Sequence, residues 1–455
     1  MPGKPEAPSD ADAQGEAESN AAETSRPRKR GSHRSRIKGL DALPVESEEI
    51  IPDLVAADPE AFERIGEETT EQLDYLPPRF IRRITVRPKY RRKTQRHLPP
   101  VVAPAPVTPL LGGLPSANLL AHILVGKYID HLPVYRQQKI FHRSGVHIPC
   151  DLIIHWLHKS IELLEPIAQA IRRETLASDY TQIDETPIRY LDPGTGRAPQ
   201  GYLWVVNVPG GSLFYHWGIG RGIEALAECV GETRSGIIQC DALSTYTSYR
   251  KKQAGETELH LMACLAHIRR NFHDIVKTGP QAHAALLMRL IASLYRIEEK
   301  LRKAKAGPAL REAVRASQSR MIYERIGKIM NKLLPRYRPQ HLMAKALAYG
   351  ISNWERMGEY LRDGRLEIDN NLAENAVRPL KLGAKNWLFF GSKNAGHAAA
   401  KIFTVVENCR RHGIEPEAYL AEMLNKLPVT HDTALIEALT PARLAESRRR
   451  KPRVA

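Results

Sequence analysis

The chain has 455 residues, with 67 Lys and Arg against 51 Asp and Glu, a formal net charge of +16 at pH 7 and a pI near 9.6. That length exceeds one ordinary domain, and the positive balance favours an extended polyanion, nucleic acid first, over an acidic small molecule. No stretch is apolar enough to span a bilayer, and the first 25 residues carry six acids without an apolar run, which excludes a secretory signal. Five scattered cysteines without a Cys-x-x-Cys pair fit reduced thiols in a cytoplasmic protein.

Residues 1–45 read as a disordered arm, acidic first and then basic from Arg26 to Lys38, too poor in apolar groups to offset the entropy of ordering. Residues 46–98 are expected to form a basic β-ribbon module. Its core, 71–96, sets Phe80, Ile81, Ile84, Val86 and Tyr90 among nine Lys and Arg between Arg79 and Arg96. A Pro-rich linker, 99–115, follows. The period then becomes helical over 116–175, with a break at Ser144-Gly145, the outline of either a helix-turn-helix-like DNA-binding segment or a plain helical hairpin.

From 176 to 402 the spacing predicts an α/β core. TQIDETPIRYLD, GYLWVVNVP and SLFYHWGIG form a three-strand meander; the helix GIEALAECVG, the strand SGIIQCDA, a helix near Tyr246 and the strand ELHLMACLA follow. That order is the order of a ribonuclease-H-like fold. A helical insertion at about 280–365 interrupts it before a helix opening near Asn370, and 403–455 closes the chain as a helical segment with a basic tail.

Three acids stand out. Asp184 lies on or at the end of the first core strand, and Asp241 follows the buried-looking strand GIIQC, at a sheet edge where α/β proteins place ligands. Glu374 arrives from a helix after the insertion. Carboxylates converging on one point repel one another unless they share divalent cations, for which hard oxygen ligands are natural. Two such ions support in-line phosphoryl displacement. Each acid also has a structural reading: Asp184 as a turn acid before Pro187, Asp241 as a cap for the helix at Ser244, and Glu374 as the fourth residue of a capping box begun by Asn371.

Around them, Arg269 and Arg270 in CLAHIRRNF are placed to grip phosphates, with His267 packed inside or beside them. Arg378 and Lys381 share the Glu374 face if the helix continues through Pro379. Lys385 adjoins an apolar stretch followed by the Gly391–Gly396 segment, whose glycines would let backbone approach DNA. Trp204 and Trp387 read as core rather than as base-stacking platforms.

With these residues the chain resembles the transposases of the insertion sequence 66 family. The resemblance runs from about Ile65 to about Leu427, through IGEETTEQLDY, KYIDHLPVYRQQKIFHRSGV, IDETPIRYLDPGTG with GYLWVV, CLAHIRRNF and, most specifically, DNNLAENAVRPLKLGAKNWLFFGS. It implies an Asp-Asp-Glu transposase with Asp184, Asp241 and Glu374 as catalytic metal ligands, two magnesium ions with manganese as a substitute, and cutting and joining of DNA. The partners implied are double-stranded DNA, as element ends and target, further copies of the chain on that DNA, and accessory proteins of the same element, all in the bacterial cytoplasm at the nucleoid. A different-class alternative is a DNA-binding relic or regulator without catalysis. The chain departs from the family in lacking two Cys-x-x-Cys pairs around the ribbon, so no zinc is expected, and in lacking a zipper-like start and a Trp-containing end.

Overall fold

The computed structural model describes residues 79–90, 101–110 and 113–450, less 193–195, 254, 256 and 280, together with 57 and 59–61. The arm over 1–45 lies outside them. The chain divides at Pro77 into two units, and the first contributes among the described residues one 3-10 turn, Pro59–Ala61. Everything below concerns the second.

Of the ribbon module read over 46–98, residues 46–78, apart from 57 and 59–61, and 91–98 lie outside the described residues. Strand β1 (Lys89–Tyr90) pairs antiparallel with β2 (Val101–Val102), so its second strand lies inside the Pro-rich stretch read as linker. The preceding 79–88 segment has no regular hydrogen-bonded structure, and Ile81, Ile84 and Val86 are exposed. Phe80 packs edge-on against Phe141, centroids 5.3 Å apart.

Helices α1 (Ala117–Tyr128), α2 (Val134–Arg143) and α3 (Cys150–Leu176) follow the predicted pattern, with Gly145 turning the chain at φ +84°. Their apolar faces do not form a separate module. Leu120, Leu124, Ile153, Ile161 and Ile171 share one core with helices from the carboxyl end of the chain.

The centre is a five-stranded sheet: β3 (Tyr180–Arg189), β4 (Gln200–Asn207), β5 (Leu213–Gly218), β6 (Gly236–Cys240) and β7 (Leu259–Ala263), in the order β5-β4-β3-β6-β7. The first three strands run antiparallel; β6 and β7 run parallel to β3. Alternation along each strand sends side chains to opposite faces. Ile183, Trp204, Val206, Phe214 and Ile238 meet α4 (Ile223–Val230) and α5 (Ser244–Lys252) on one face. Ile188, Leu203, Val205, Tyr215 and Trp217 on the other meet α3, α12 (Asn371–Trp387) and α13 (Lys393–Arg411). Trp204 is fully buried core, as its sequence context predicts.

After β7 comes α6 (Leu265–Lys277) and then the helical excursion: α7 (Ala282–Lys303), α8 (Pro308–Val314), α9 (Arg320–Leu333), α10 (Leu342–Ser352) and α11 (Trp354–Gly358). A single π-helical turn, Arg315–Ser319, joins α8 to α9. The excursion has its own core, in which Leu287, Ile291, Ile326, Met330 and Leu347 are wholly buried, and it shares that core with Met262 and Tyr180 of the sheet. The chain ends in α14 (Pro416–Lys426), α15 (Thr433–Ala438) and α16 (Pro441–Arg450). Among the described residues, no helix is long and apolar enough to cross a membrane.

Candidate active site

The pairing of β3 with β6 aligns Tyr180 with Ile237, Thr181 with Ile238 and Gln182 with Gln239, a constant offset of 57 positions. The same offset carries Asp184 to Asp241 (241 − 184), two residues beyond the last pair. Neighbouring strands lie about 4.8 Å apart, so the two acids stand side by side, Asp184 in the middle of β3 and Asp241 just past the end of β6. Burial, then the charges of Glu185, Glu374 and Asp241, push the Asp184 carboxyl up to about 7. Asp241 accepts the Leu243 N–H at 3.1 Å, a local turn bond rather than a cap on α5, whose start has no side-chain cap.

Glu374 comes in on α12, and the start of that helix is fixed by buried polar groups. Gln182 donates to Asp369 O at 2.9 Å, Gln239 to Glu367 O at 3.0 Å, and Glu367 N donates to the Tyr180 hydroxyl at 3.1 Å. Leu265 N reaches Ile368 O at 3.3 Å, and Asn370 N points at Cys264 Sγ at 3.4 Å. Tyr215 holds the next turn by donating to Ala376 O at 2.8 Å. Nothing in the sequence marked Gln182, Gln239 or Tyr180 for this task.

The capping-box reading of Glu374 is not realised. The cap position falls one residue earlier, at Asn370, whose side chain makes no cap bond, and Asp369 turns the chain by accepting from Asn371 N (3.1 Å) and Nδ2 (2.8 Å). Glu374 therefore has its carboxylate free for other partners. Its Oε2 lies 3.2 Å from Arg270 Nη2, and its Oε1 lies 3.8 Å from His267 Nε2 and is buried without a hydrogen-bond partner. Burial lowers the His267 pKa despite the neighbouring acid, so the imidazole is neutral near pH 7.

The two adjacent arginines part company. Arg270 turns to Glu374, whereas Arg269 lies over the Tyr295 ring at 5.3 Å. Helix α12 runs unbroken through Pro379, so Glu374, Arg378, Lys381 and Lys385 do share one face, the three cations exposed. The backbone-approach reading of Gly396 gives way to packing: a Cβ there would meet the Trp217 ring at 2.4 Å. Glu185, missed because it faces away from Asp184 along the strand, is almost buried between Arg221 (2.7 Å) and the Tyr246 hydroxyl (3.2 Å). Its neighbour Asp184 masked it in the motif IDET.

Among the described residues, the one set of three His, Cys, Asp or Glu donor atoms within 4.8 Å of one another is Cys264, His267 and Glu374. Burial, and then the Asp369 charge, hold the Cys264 thiol protonated, and it already accepts the Asn370 N–H. Asp184 and Asp241 are not in that set, so their carboxylate oxygens and those of Glu374 do not all come within 4.8 Å of one another; by donor chemistry, oxygen ligands of this kind would suit a hard cation, and Glu374 Oε1 is buried without a partner.

The model of the transposase IS66 family matches residues 112–398, and that of the IS66 C-terminal element matches 404–442. The chain belongs to the IS66 family of transposases. Among curated relatives in Sinorhizobium fredii (strain NBRC 101917 / NGR234), it is 33% identical to the uncharacterized protein y4qI over 418 residues, 89% of this chain and 76% of the other. It is 29% identical to the uncharacterized protein y4jD over 398 residues, 84% of this chain and 76% of that one. The first family match takes in all three acids and α12; the second begins inside α13 and ends at the start of α16.

Proposed function

We propose that this IS66-family chain cuts the ends of its mobile element and joins them to target DNA at a site formed by Asp184, Asp241 and Glu374 on a ribonuclease-H-like core. The observation that carries the reading is the 57-residue register of β3 and β6, which supports Asp184 and Asp241 acting together, with Glu374 on α12 near enough that its charge helps raise the Asp184 carboxyl. The strand order β5-β4-β3-β6-β7, with β6 and β7 parallel to β3, is compatible with a ribonuclease-H-like core and supports that reading.

Two magnesium-type ions, when bound by the three carboxylates, would supply activation of the attacking oxygen and neutralisation of the leaving one. The protein does the rest. Burial and the neighbouring acids raise the Asp184 carboxyl, and a bound cation would favour its ionised form. Arg270 holds Glu374 Oε2 from the α6 side, His267 stands 3.8 Å from Oε1, and the exposed cations of α12 offer a row of phosphate contacts. The partners proposed are double-stranded element ends and target, with further copies of the chain and accessory proteins of the element, at the bacterial nucleoid.

The test is strand transfer from a pre-cut end bearing a 3′-hydroxyl, in Mg²⁺, by the full chain and by Asp184→Asn. Joining by the wild type and none by the variant, with DNA binding kept, is expected. A variant that joins at the wild-type rate would falsify the site; a wild type that binds ends and neither cuts nor joins would make the protein a binding regulator.

A further inference from the structure

Helix α12 ends in an unusual turn. Leu388 adopts φ +64° and ψ −44°, and Phe389 N donates to Trp387 O at 2.8 Å, closing a γ-turn of the strained hand. Leu388 is not glycine, so the conformation is held at a cost. The flanks hold it. Leu388 N caps back to Ala384 O (2.8 Å), Phe390 N donates to Arg189 O (2.9 Å) at the end of β3, and Leu191 N returns to Phe390 O (2.8 Å). The Trp387 and Phe390 rings stack at 4.9 Å, and Phe390 meets the buried Trp217 at 5.1 Å.

This rigid base presents two apolar side chains outward: Leu388 is 66% exposed and Phe389 39%. One exposed leucine needs no explanation. An exposed Leu-Phe pair on a strained, clamped turn does, and its neighbours indicate what covers it. The α12 face that begins at Glu374 continues through Arg378, Lys381 and Lys385, all exposed, and reaches the turn at its end, with exposed Lys393 opening the next helix. Cations lead up to the apolar pair. That pattern complements an object with a charged exterior and an apolar interior, a stacked nucleic-acid duplex.

We propose that Leu388 and Phe389 form a wedge that enters the minor groove and partly unstacks one base step, bending the DNA held along α12. The distance follows from the helix. Fourteen residues separate Glu374 from Leu388 (388 − 374), about 21 Å at 1.5 Å per residue, or about six base-pair steps at 3.4 Å each. The wedge thus bends DNA about half a turn from the phosphate at the carboxylates, the lysines between them taking the backbone. The location rests on the proposed function; the bend itself does not require cleavage.

The experiment uses the full chain and the double variant Leu388→Gly, Phe389→Ser, in which glycine relieves the backbone and both sites are solvent-facing, so folding is kept. A short linear duplex from the element end, dye-labelled at its termini, reports the bend by energy transfer, and the same duplex reports joining. The wild type is expected to bend it by tens of degrees. The variant should bind it with little bend and join it at least about tenfold more slowly. A two-base mismatch placed about six base pairs from the joined phosphate, which is already unstacked, should restore the variant's rate, and mismatches elsewhere should not.

A variant that bends and joins like the wild type overturns the wedge while leaving the catalytic reading intact. So does a variant rescued at no mismatch position, or one altered only in oligomeric state, which would assign the turn to a protein contact. A wild type that bends DNA through these residues and yet joins none keeps the wedge and removes the catalytic site.

Discussion

Two acidic sites in this molecule handle burial in opposite ways. In the helical excursion Glu298 is wholly buried and fully spent: Arg315 donates to both its oxygens at 2.8 Å, and Arg311 approaches at 3.4 Å. Arg315, also wholly buried, gives its remaining protons to the carbonyls of Tyr360, Asp363 and Leu366 and lies over the Tyr360 ring. At the sheet edge Glu374 has one oxygen orphaned and the other on a half-exposed arginine, and Asp184 is crowded by acids instead of cations. A charge that serves the fold is satisfied by the fold. One left short of partners is reserved for something that arrives later.

That contrast is broken most directly by paired Glu→Gln changes. Glu374→Gln should lower strand transfer at least about a thousandfold, roughly 4 kcal/mol of barrier, while the unfolding midpoint stays within a few degrees of wild type. Gln keeps the shape and the place on the helix but loses the anionic oxygen. Glu298→Gln should do the reverse, costing about 3 kcal/mol of stability by stranding the buried Arg315 charge. Thermal unfolding and joining rates on both variants decide it, and a Glu298→Gln protein as stable as wild type would remove the comparison.

The next effect depends on pH. Because the folded pKa of Asp184 is raised, its contribution to stability is whole below about pH 4 and is lost as pH rises through about 7. Asp184→Asn should match the wild type near pH 4 and exceed it at pH 8 by on the order of 2 kcal/mol, after allowing for partial solvent access. Mg²⁺ should then stabilise the wild type at pH 8 and leave the variant unmoved. Equal melting curves at both pH values would return Asp184 to the class of satisfied acids.

Smaller effects belong to exposed cations. Arg270→Ala should change stability by less than about 1 kcal/mol, since its ion pair is half exposed. If Arg270 moves onto a phosphate, the variant flattens the slope of log K against log salt by about 0.9. Neutralising Arg79, Arg82 and Arg83 of the ribbon should each flatten it by a similar amount without changing sequence preference; an unchanged slope removes the ribbon from the DNA interface.

Strand alternation was legible because it is periodic and fixes which residues share a face, and strand order put the two acids on neighbouring strands; the 57-position register that sets them abreast appears only in the pairing of β3 with β6. The helical excursion and the α1–α3 helices were legible for the same reason. What hid was non-periodic. The amides of Gln182 and Gln239 look like any strand polar residue until their partners, 187 and 128 positions away, are known. The helix opens where expected, but its cap position is Asn370 rather than Asn371, and Asp369 accepts the Asn371 amide, a choice among three consecutive cap-forming residues that local preference does not resolve. The opposite fates of Arg269 and Arg270 depend on where Tyr295 and Glu374 lie, far along the chain.

The bond from Leu265 N to Ile368 O has a consequence for the family's history. It means the polypeptide departs for the helical excursion and comes back at the same spot, so the hundred or so residues between are a closed detour whose length is nearly free. Closing a chain loop costs only about 0.6 kcal/mol for each doubling. Related chains can therefore lengthen, shorten or exchange this detour and still deliver Glu374 to the sheet, as long as the two ends of the detour continue to meet.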